Sequence, residues 1–418
     1  MKRLMSIAIF IAILGAACGS QKETPRGEVG ATGAPIKIGV VGPMTGQAAF
    51  VGKNMVEGIQ LAVESINGSG GLLGGRQVSF VVRDDEGDPA KTTTAVRELV
   101  QKEHVSALFG PTGSSNYLSI ARFVTDSQVP TWVITSGPEL TEHVNPYAFR
   151  AYLPDSAEIG PLASYAAKHY HKVAILASND ADGVAFAAAT KSALQQAGSP
   201  AVTSQFFTLD ETDFSPLALK VKQSGADALI LGSHLGLFAS RFAVAARNLD
   251  YNVQILGVAG LINYTYPDLA RAAADGTIFV SFRSWSHLPR TQWPASVRDF
   301  YEAYVSRYLP QGEFSETGAY KAYSTNFLTY DMVKIWSAAV KRANSADPVK
   351  VDQTLNNGFT YPASDSVIGA EWRYSATNHD GIREGDLYFY RWELQPGGKF
   401  KLHFVGTTTD VLSGKVAI

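Results

Sequence analysis

Two adjacent hydroxyls, Ser114 and Ser115, follow Gly113 in the stretch Ala107-Leu-Phe-Gly-Pro-Thr-Gly-Ser-Ser-Asn-Tyr117. Val105 to Phe109 reads as a buried parallel strand that breaks at Gly110-Pro111, and Tyr117-Leu118-Ile120-Ala121-Phe123-Val124 has helical spacing. A strand, a loop of small residues and a helix start leave the first helical N–H groups without partners inside the helix, at the positive end of its dipole. Such a place favours an anionic or carbonyl-bearing small ligand. The same residues also fit a plainer reading, in which Ser114 or Ser115 caps its own helix.

Other stretches that could carry chemistry have simpler explanations. Gly68-Ser-Gly-Gly-Leu-Leu-Gly-Gly75 lacks the Gly-Lys-Ser/Thr ending of a phosphate loop and lies between a helix and a strand, so it reads as a turn. In Asp84-Asp-Glu-Gly-Asp88-Pro89, Asp88 is a natural helix N-cap with Pro89 at the first helical position, which explains the acidic run without a metal. Asp180-Ala-Asp182-Gly183 lacks the remaining spacing of a calcium loop. No Gly-x-Ser-x-Gly elbow or His-Glu-x-x-His motif occurs, so the chain reads as a non-enzyme that needs no cofactor or metal.

The elements that must position Ser114 form a regular series. Ile36 to Val41 is a first strand, followed by a helix carrying Met55, Ile59, Ala62, Val63 and Ile66 on one face. Gln77 to Val82 and Pro130 to Thr135 are further strands of this series. A second series begins after Arg150, with strands at Lys172–Ala177, Ala201–Phe207, Ala228–Leu231 and Val253–Leu256 alternating with helices. This alternation implies an α/β fold with two doubly wound parallel-sheet lobes. Beyond Asp347 the stretches Gly369–Tyr374, Leu387–Leu394 and Phe400–Val405 alternate as antiparallel strands do.

The chain has 418 residues and a formal net charge of −2 without a long basic run, which argues for two cored lobes and against a nucleic-acid partner. Lys2-Arg3, the apolar run Leu4 to Leu14, and Gly15-Ala-Ala17 before Cys18 read as an export signal. Cys18 is the single cysteine, placed as in a bacterial lipobox, so residues 1–18 are expected to be a lipoprotein-type signal with Cys18 as the lipidated mature N-terminus. Ordinary cleavage near Ala17 is the alternative. Residues 19–35 read as a flexible tether to the membrane.

Several motifs occur in order: Ile36-Lys-Ile-Gly-Val-Val-Gly-Pro-Met-Thr-Gly46, Asn67-Gly-Ser-Gly-Gly-Leu-Leu-Gly-Gly-Arg76, Val82-Arg-Asp-Asp85, Phe109-Gly-Pro-Thr-Gly-Ser-Ser115, Pro138-Glu-Leu-Thr141, Trp372-Arg-Tyr374 and His379-Asp-Gly381. With them the chain resembles the leucine-binding, type I periplasmic binding proteins of branched-chain amino acid ABC transporters. The resemblance implies two lobes joined by three crossings, near Arg150, Gly276 and Pro362. Lobe 1 is then 36–149 plus 278–361, and lobe 2 is 150–277 plus 362–418. It further implies a solute held between closing lobes and delivered to an ABC permease, and the N-terminal signal with Cys18 adds an extracytoplasmic, lipid-anchored location. A ligand-sensing receptor of the same fold is the alternative.

Carried over residue by residue, the resemblance places Ser114 at the ligand carboxylate, beside Ser115 and the Gly113 backbone. Thr135 and Ser136 would add contacts from lobe 1, and Tyr330 matches a cleft tyrosine. Phe50 is the aromatic of the first loop. In the second lobe Asp182 stands where an aromatic is usual, Ser233 where a tyrosine is expected, and Ala259 where an acid would grip an α-ammonium. Asp182 is the substitute acid or, on the plainer reading, a turn residue capping the next helix. The solute is therefore an amino acid or a related carboxylate or amide, with Phe50, Trp285 and Tyr330 as apolar walls.

Overall fold

The computed structural model describes residues 33–418 apart from 139, 141–144, 284, 286–287, 309–323 and 383–386. The export signal, Cys18 and nearly all of the tether lie outside the described residues.

The apolar runs read from the sequence become two sheets. The first, in the order β2-β1-β3-β4-β5, comprises β1 (Ile36–Gly42), β2 (Val78–Asp84), β3 (Leu108–Thr112), β4 (Thr131–Ile134) and β5 (Ala148–Arg150), all paired in parallel. Helices α1 (Ala49–Gly68), α2 (Pro89–Gln101) and α3 (Ser114–Ser127) connect its strands. Asp88 caps α2 by accepting from the N–H groups of Ala90 and Lys91. The glycine-rich stretch is a turn closed by a bridge between Leu72 and Arg76.

The second sheet runs β14-β13-β10-β9-β8-β6-β7. Its parallel part is β6 (Val173–Ser178), β7 (Thr203–Phe207), β8 (Ala228–Gly232), β9 (Gln254–Gly257) and β10 (Ile278–Ser281). Helices α4 (Asp155–His169), α5 (Ala181–Gln196), α6 (Ser215–Gln223) and α7 (Gly236–Asn248) accompany it, with α8 (Thr265–Ala270) before β10. After α9 (Ala295–Tyr308), α10 (Ser324–Ala343) and α11 (Pro348–Asn356) comes a two-stranded ribbon of β11 (Phe359–Tyr361) and β12 (Trp372–Tyr374). Finally β13 (Tyr388–Leu394) and β14 (Phe400–Thr407) extend the second sheet antiparallel.

Two expected lobe boundaries move. β10 pairs with β9 on one side and β13 on the other, so residues 278–281 belong to the second sheet and the crossing falls after them, not near Gly276. Residues 362–382 stay with lobe 1 rather than returning to lobe 2 at Pro362. Asp331 of α10 accepts from the Ser366 hydroxyl and the N–H groups of Val367 and Ile368, and Arg150 bridges to Asp380. Buried polar groups must find such partners, and these hold the segment to the first sheet.

Arg150, fully buried at the end of β5, pins this junction. Its guanidinium donates to Asp380 at 2.6 Å and to the carbonyls of Thr135 and Gly137 at 2.8 Å each. The arginine thereby fixes the loop after β4, which faces the other lobe.

Candidate ligand-binding site

A cavity of about 450 Å³ lies between the lobes, within the range of small-molecule sites. From lobe 1 it is lined by Phe50, the opening of α3 from Gly113 to Asn116, and Thr135 and Ser136 after β4. Lobe 2 contributes Tyr152, Asp182 at the start of α5, and Ser233 and His234 after β8. These loops follow the carboxyl ends of their strands, where open parallel sheets bind ligands.

Local backbone chemistry explains the lobe 1 wall. Gly113 sits at φ +86°, a conformation L side chains rarely adopt, and turns the chain from β3 into α3. Among the described residues no side chain caps α3, its first amides have no partner within the helix, and its opening residues line the cavity. The capping reading of Ser114 is thereby set aside. Ser114 Oγ lies 2.5 Å from Thr135 Oγ1 and 2.9 Å from Asp182 Oδ1, and it accepts from the Gly137 N–H at 3.3 Å.

Asp182 is not the cap of its helix either. Asp180 accepts from the Gly183 N–H and caps α5, which leaves Asp182 free to reach across the cleft. There it meets Ser114, and Ser136 donates to both of its oxygens at 3.3 Å. Burial, followed by the charge of Asp155, lifts the Asp182 carboxyl to about 6.

Behind Asp182 stands a group that sequence reasoning missed. His234 Nε2 is 3.1 Å from Asp155 Oδ1, and Nδ1 faces Glu158 Oε2 at 4.0 Å. Burial alone would lower His234, but the hydrogen bond to Asp155 and the neighbouring acids lift it to about 9. Glu158 is fully buried, and that burial raises it to about 8. Its Oε1 accepts from the Ala259 N–H at 2.5 Å. A carboxyl group thus does reach position 259, carried there by α4 rather than by residue 259 itself. The signal was the i, i+3 spacing of Asp155 and Glu158 in the first turn of α4.

Phe50, Gly113, Ser114, Ser115, Thr135, Ser136, Asp182 and Ser233 all line the one cavity. Tyr330 does not. It lies on α10, edge-on to Phe300, with the Lys334 ammonium 5.8 Å above its ring. Trp285 also faces elsewhere and donates its indole N–H to the Val367 carbonyl. Tyr152 and Phe238 line the cavity instead, beside Phe50. Asp155, Asp182 and His234 bring ligand atoms within 4.8 Å of one another and could hold a divalent cation, although each is engaged in the hydrogen bonds above.

Known proteins resemble this chain in sequence and in fold. The periplasmic binding protein family profile matches residues 35–399. The Leu/Ile/Val-binding protein BraC3 of Rhizobium johnstonii is 26% identical over 367 residues, covering 86% of this chain and 92% of its own. A solute-binding protein of an ABC transporter from Rhodopseudomonas palustris BisB5, solved with 3,4-dihydroxybenzoic acid, superposes with a TM-score of 0.76 at 20% identity, covering 90% of this chain and 97% of its own. The branched-chain amino acid transporter substrate-binding protein LivJ of Streptococcus pneumoniae, solved with isoleucine, gives 0.73 at 22%, covering 89% and 99%. These matches agree with the resemblance drawn from the ordered motifs.

Proposed function

Since this chain belongs to the periplasmic binding protein family, an extracytoplasmic family of small-molecule binders, we propose that it is the solute-binding component of an ABC importer. It captures an amino acid or a related small carboxylate between its lobes and presents the closed form to a permease. One observation carries this reading. The hydroxyls of Ser114, Thr135 and Ser136 meet beside the uncapped start of α3, on the wall of a solute-sized cavity between lobes. Donors so arranged suit a carboxylate.

Isoleucine in the pneumococcal protein and dihydroxybenzoic acid in the Rhodopseudomonas protein have a carboxyl group in common, which supports the same seat here. Phe50, Tyr152 and Phe238 supply apolar surface for the remainder of the solute. Ser115, Ser233 and the Gly113 backbone complete the lining.

Mass spectrometry of small molecules released from the purified, denatured protein, followed by a thermal-shift panel of amino and organic acids, tests this reading. A carboxylate that raises the melting temperature saturably is the expected result, and a panel without effect would overturn it. Cys18, preceded by Gly15-Ala-Ala17, supports a lipid anchor for the mature chain. Cys18→Ser should then move the protein from the membrane fraction to the soluble one.

A further inference from the structure

The hydroxyls suited to a solute carboxylate already hold a carboxylate of the protein's own. Asp182, carried by lobe 2, accepts from Ser114 at 2.9 Å and from Ser136 at 3.3 Å. A serine hydroxyl has one proton to donate and two lone pairs. Ser114 donates to Asp182 and accepts from the Gly137 N–H, and with Thr135 as its other donor its capacity is full. A solute carboxylate reaches this seat only by displacing Asp182.

The local fold does not require an acid here, because Asp180 caps α5. The wall behind offers a displaced carboxylate little. Asp155 and Glu158 are buried acids that already share its one imidazole: His234 Nε2 bonds to Asp155, and Nδ1, without a hydrogen-bond partner among the described residues, faces Glu158 at 4.0 Å. Asp155 Oδ2 and Glu158 Oε2 have no hydrogen-bond partner among the described residues. Asp182 turned towards this group adds negative charge to a place that is short of positive charge, and a buried charge without a partner is strongly unfavourable.

We propose that Asp182 is a specificity-determining residue: it yields the hydroxyl seat to a solute whose carboxylate is accompanied by a cationic nitrogen, and it excludes carboxylates that lack one. The nitrogen becomes the partner that Asp182 loses on leaving Ser114 and Ser136. The burial that lifts the Asp182 carboxyl is the environment in which such a partner counts most. This inference rests on the solute-binding reading above and narrows its solute class from carboxylates in general to zwitterions.

The test titrates wild type, Asp182→Asn and Asp182→Ala with the standard amino acids and, in parallel, the matching desamino acids, such as L-leucine with 4-methylpentanoate. Affinities are read by calorimetry. Alanine is the second variant because a small residue suits the first turn of a helix. Wild type should prefer an amino acid over its desamino partner by about a hundredfold or more, and either variant should erase or reverse that preference. Equal affinity of wild type for both members of each pair, or an unchanged ratio in both variants, overturns the proposal and leaves the solute-binding reading standing. Binding of no panel member by any of the forms overturns that reading, and this inference with it.

Discussion

Lobe 1 meets the cleft with hydroxyls and the opening turn of α3, whereas lobe 2 meets it with Asp182 and His234, backed by Asp155 and Glu158. The first wall is neutral and donates hydrogen bonds. The second is ionisable and built from acids around one imidazole. Lobe 1 gains its shape from fixed backbone: Gly113 sets the start of α3, and Arg150 holds the Thr135 and Gly137 carbonyls from behind. Lobe 2 gains its character from side chains of separate elements that converge only in three dimensions. A pre-formed donor wall facing a charged one is the arrangement that orients a dipolar solute, because each end has one favourable side.

Arg150 offers the sharpest way to break this contrast. Arg150→Met keeps much of the apolar stem but leaves Asp380 and two buried carbonyls without their donor. Removing one partner of a buried, hydrogen-bonded pair costs about 3–5 kcal/mol. Chemical denaturation should register a loss of that size, together with loss of ligand affinity as the loop of Thr135 and Ser136 slackens. Full stability in this variant would mean that the lobe 1 wall does not depend on its buried support.

The second wall should show itself through pH. Glu158 is raised to about 8, Asp182 to about 6 and His234 to about 9, each above its unfolded value. A raised pKa means that the folded state holds its proton longer than the unfolded chain. The associated stability is present below the unfolded pKa and is lost as pH rises through the folded one. All three groups therefore weaken the fold as pH climbs from about 4 to about 9. Glu158→Gln keeps an acceptor for the Ala259 N–H and removes the largest carboxyl contribution, that between pH 4.5 and 8. Relative to wild type it should gain on the order of 5 kcal/mol across that window, read from denaturation curves at both ends. Identical pH profiles would remove Glu158 from the titrating wall.

Ser114→Ala tests the neutral wall directly. Loss of one donor to a buried, charged oxygen should weaken solute binding by about 1–3 kcal/mol. The variant should leave the pH profile of stability largely in place, since the acids and His234 remain. An unchanged affinity would take Ser114 out of the seat.

What the sequence made legible follows the same division. The strand–glycine–serine–helix passage around Gly113 and the caps at Asp88 are local, and local patterns of propensity and turn chemistry are readable along the chain. Asp155 and Glu158 were not read as part of the site, because their meeting with His234 joins α4 to the loop after β8. The resemblance points to position 259 itself for the acid, whereas Glu158 arrives at the Ala259 N–H from another helix. Crossing positions failed for a related reason. An apolar strand such as β10 reads alike in either sheet, and only pairing with β9 and β13 assigns it.

Tyr330 gives the smallest expected effect and the clearest control. The resemblance implies a cleft tyrosine, yet its ring packs on Phe300 and beneath the Lys334 ammonium, on a helix that packs along α1 and reaches the cavity at Thr325, not at Tyr330. Tyr330→Phe keeps that ring contact and removes only the hydroxyl, so solute affinity should stay within about 0.5 kcal/mol of wild type. Phe50→Ala, by contrast, strips an aromatic side chain from the cavity wall and should weaken binding by about 1 kcal/mol or more. Calorimetry on the pair separates the two aromatics. A larger loss at Tyr330 than at Phe50 would place the solute's apolar body against α10, and the contrast between a donor wall and an acidic wall would then describe the rim of the site instead of its centre.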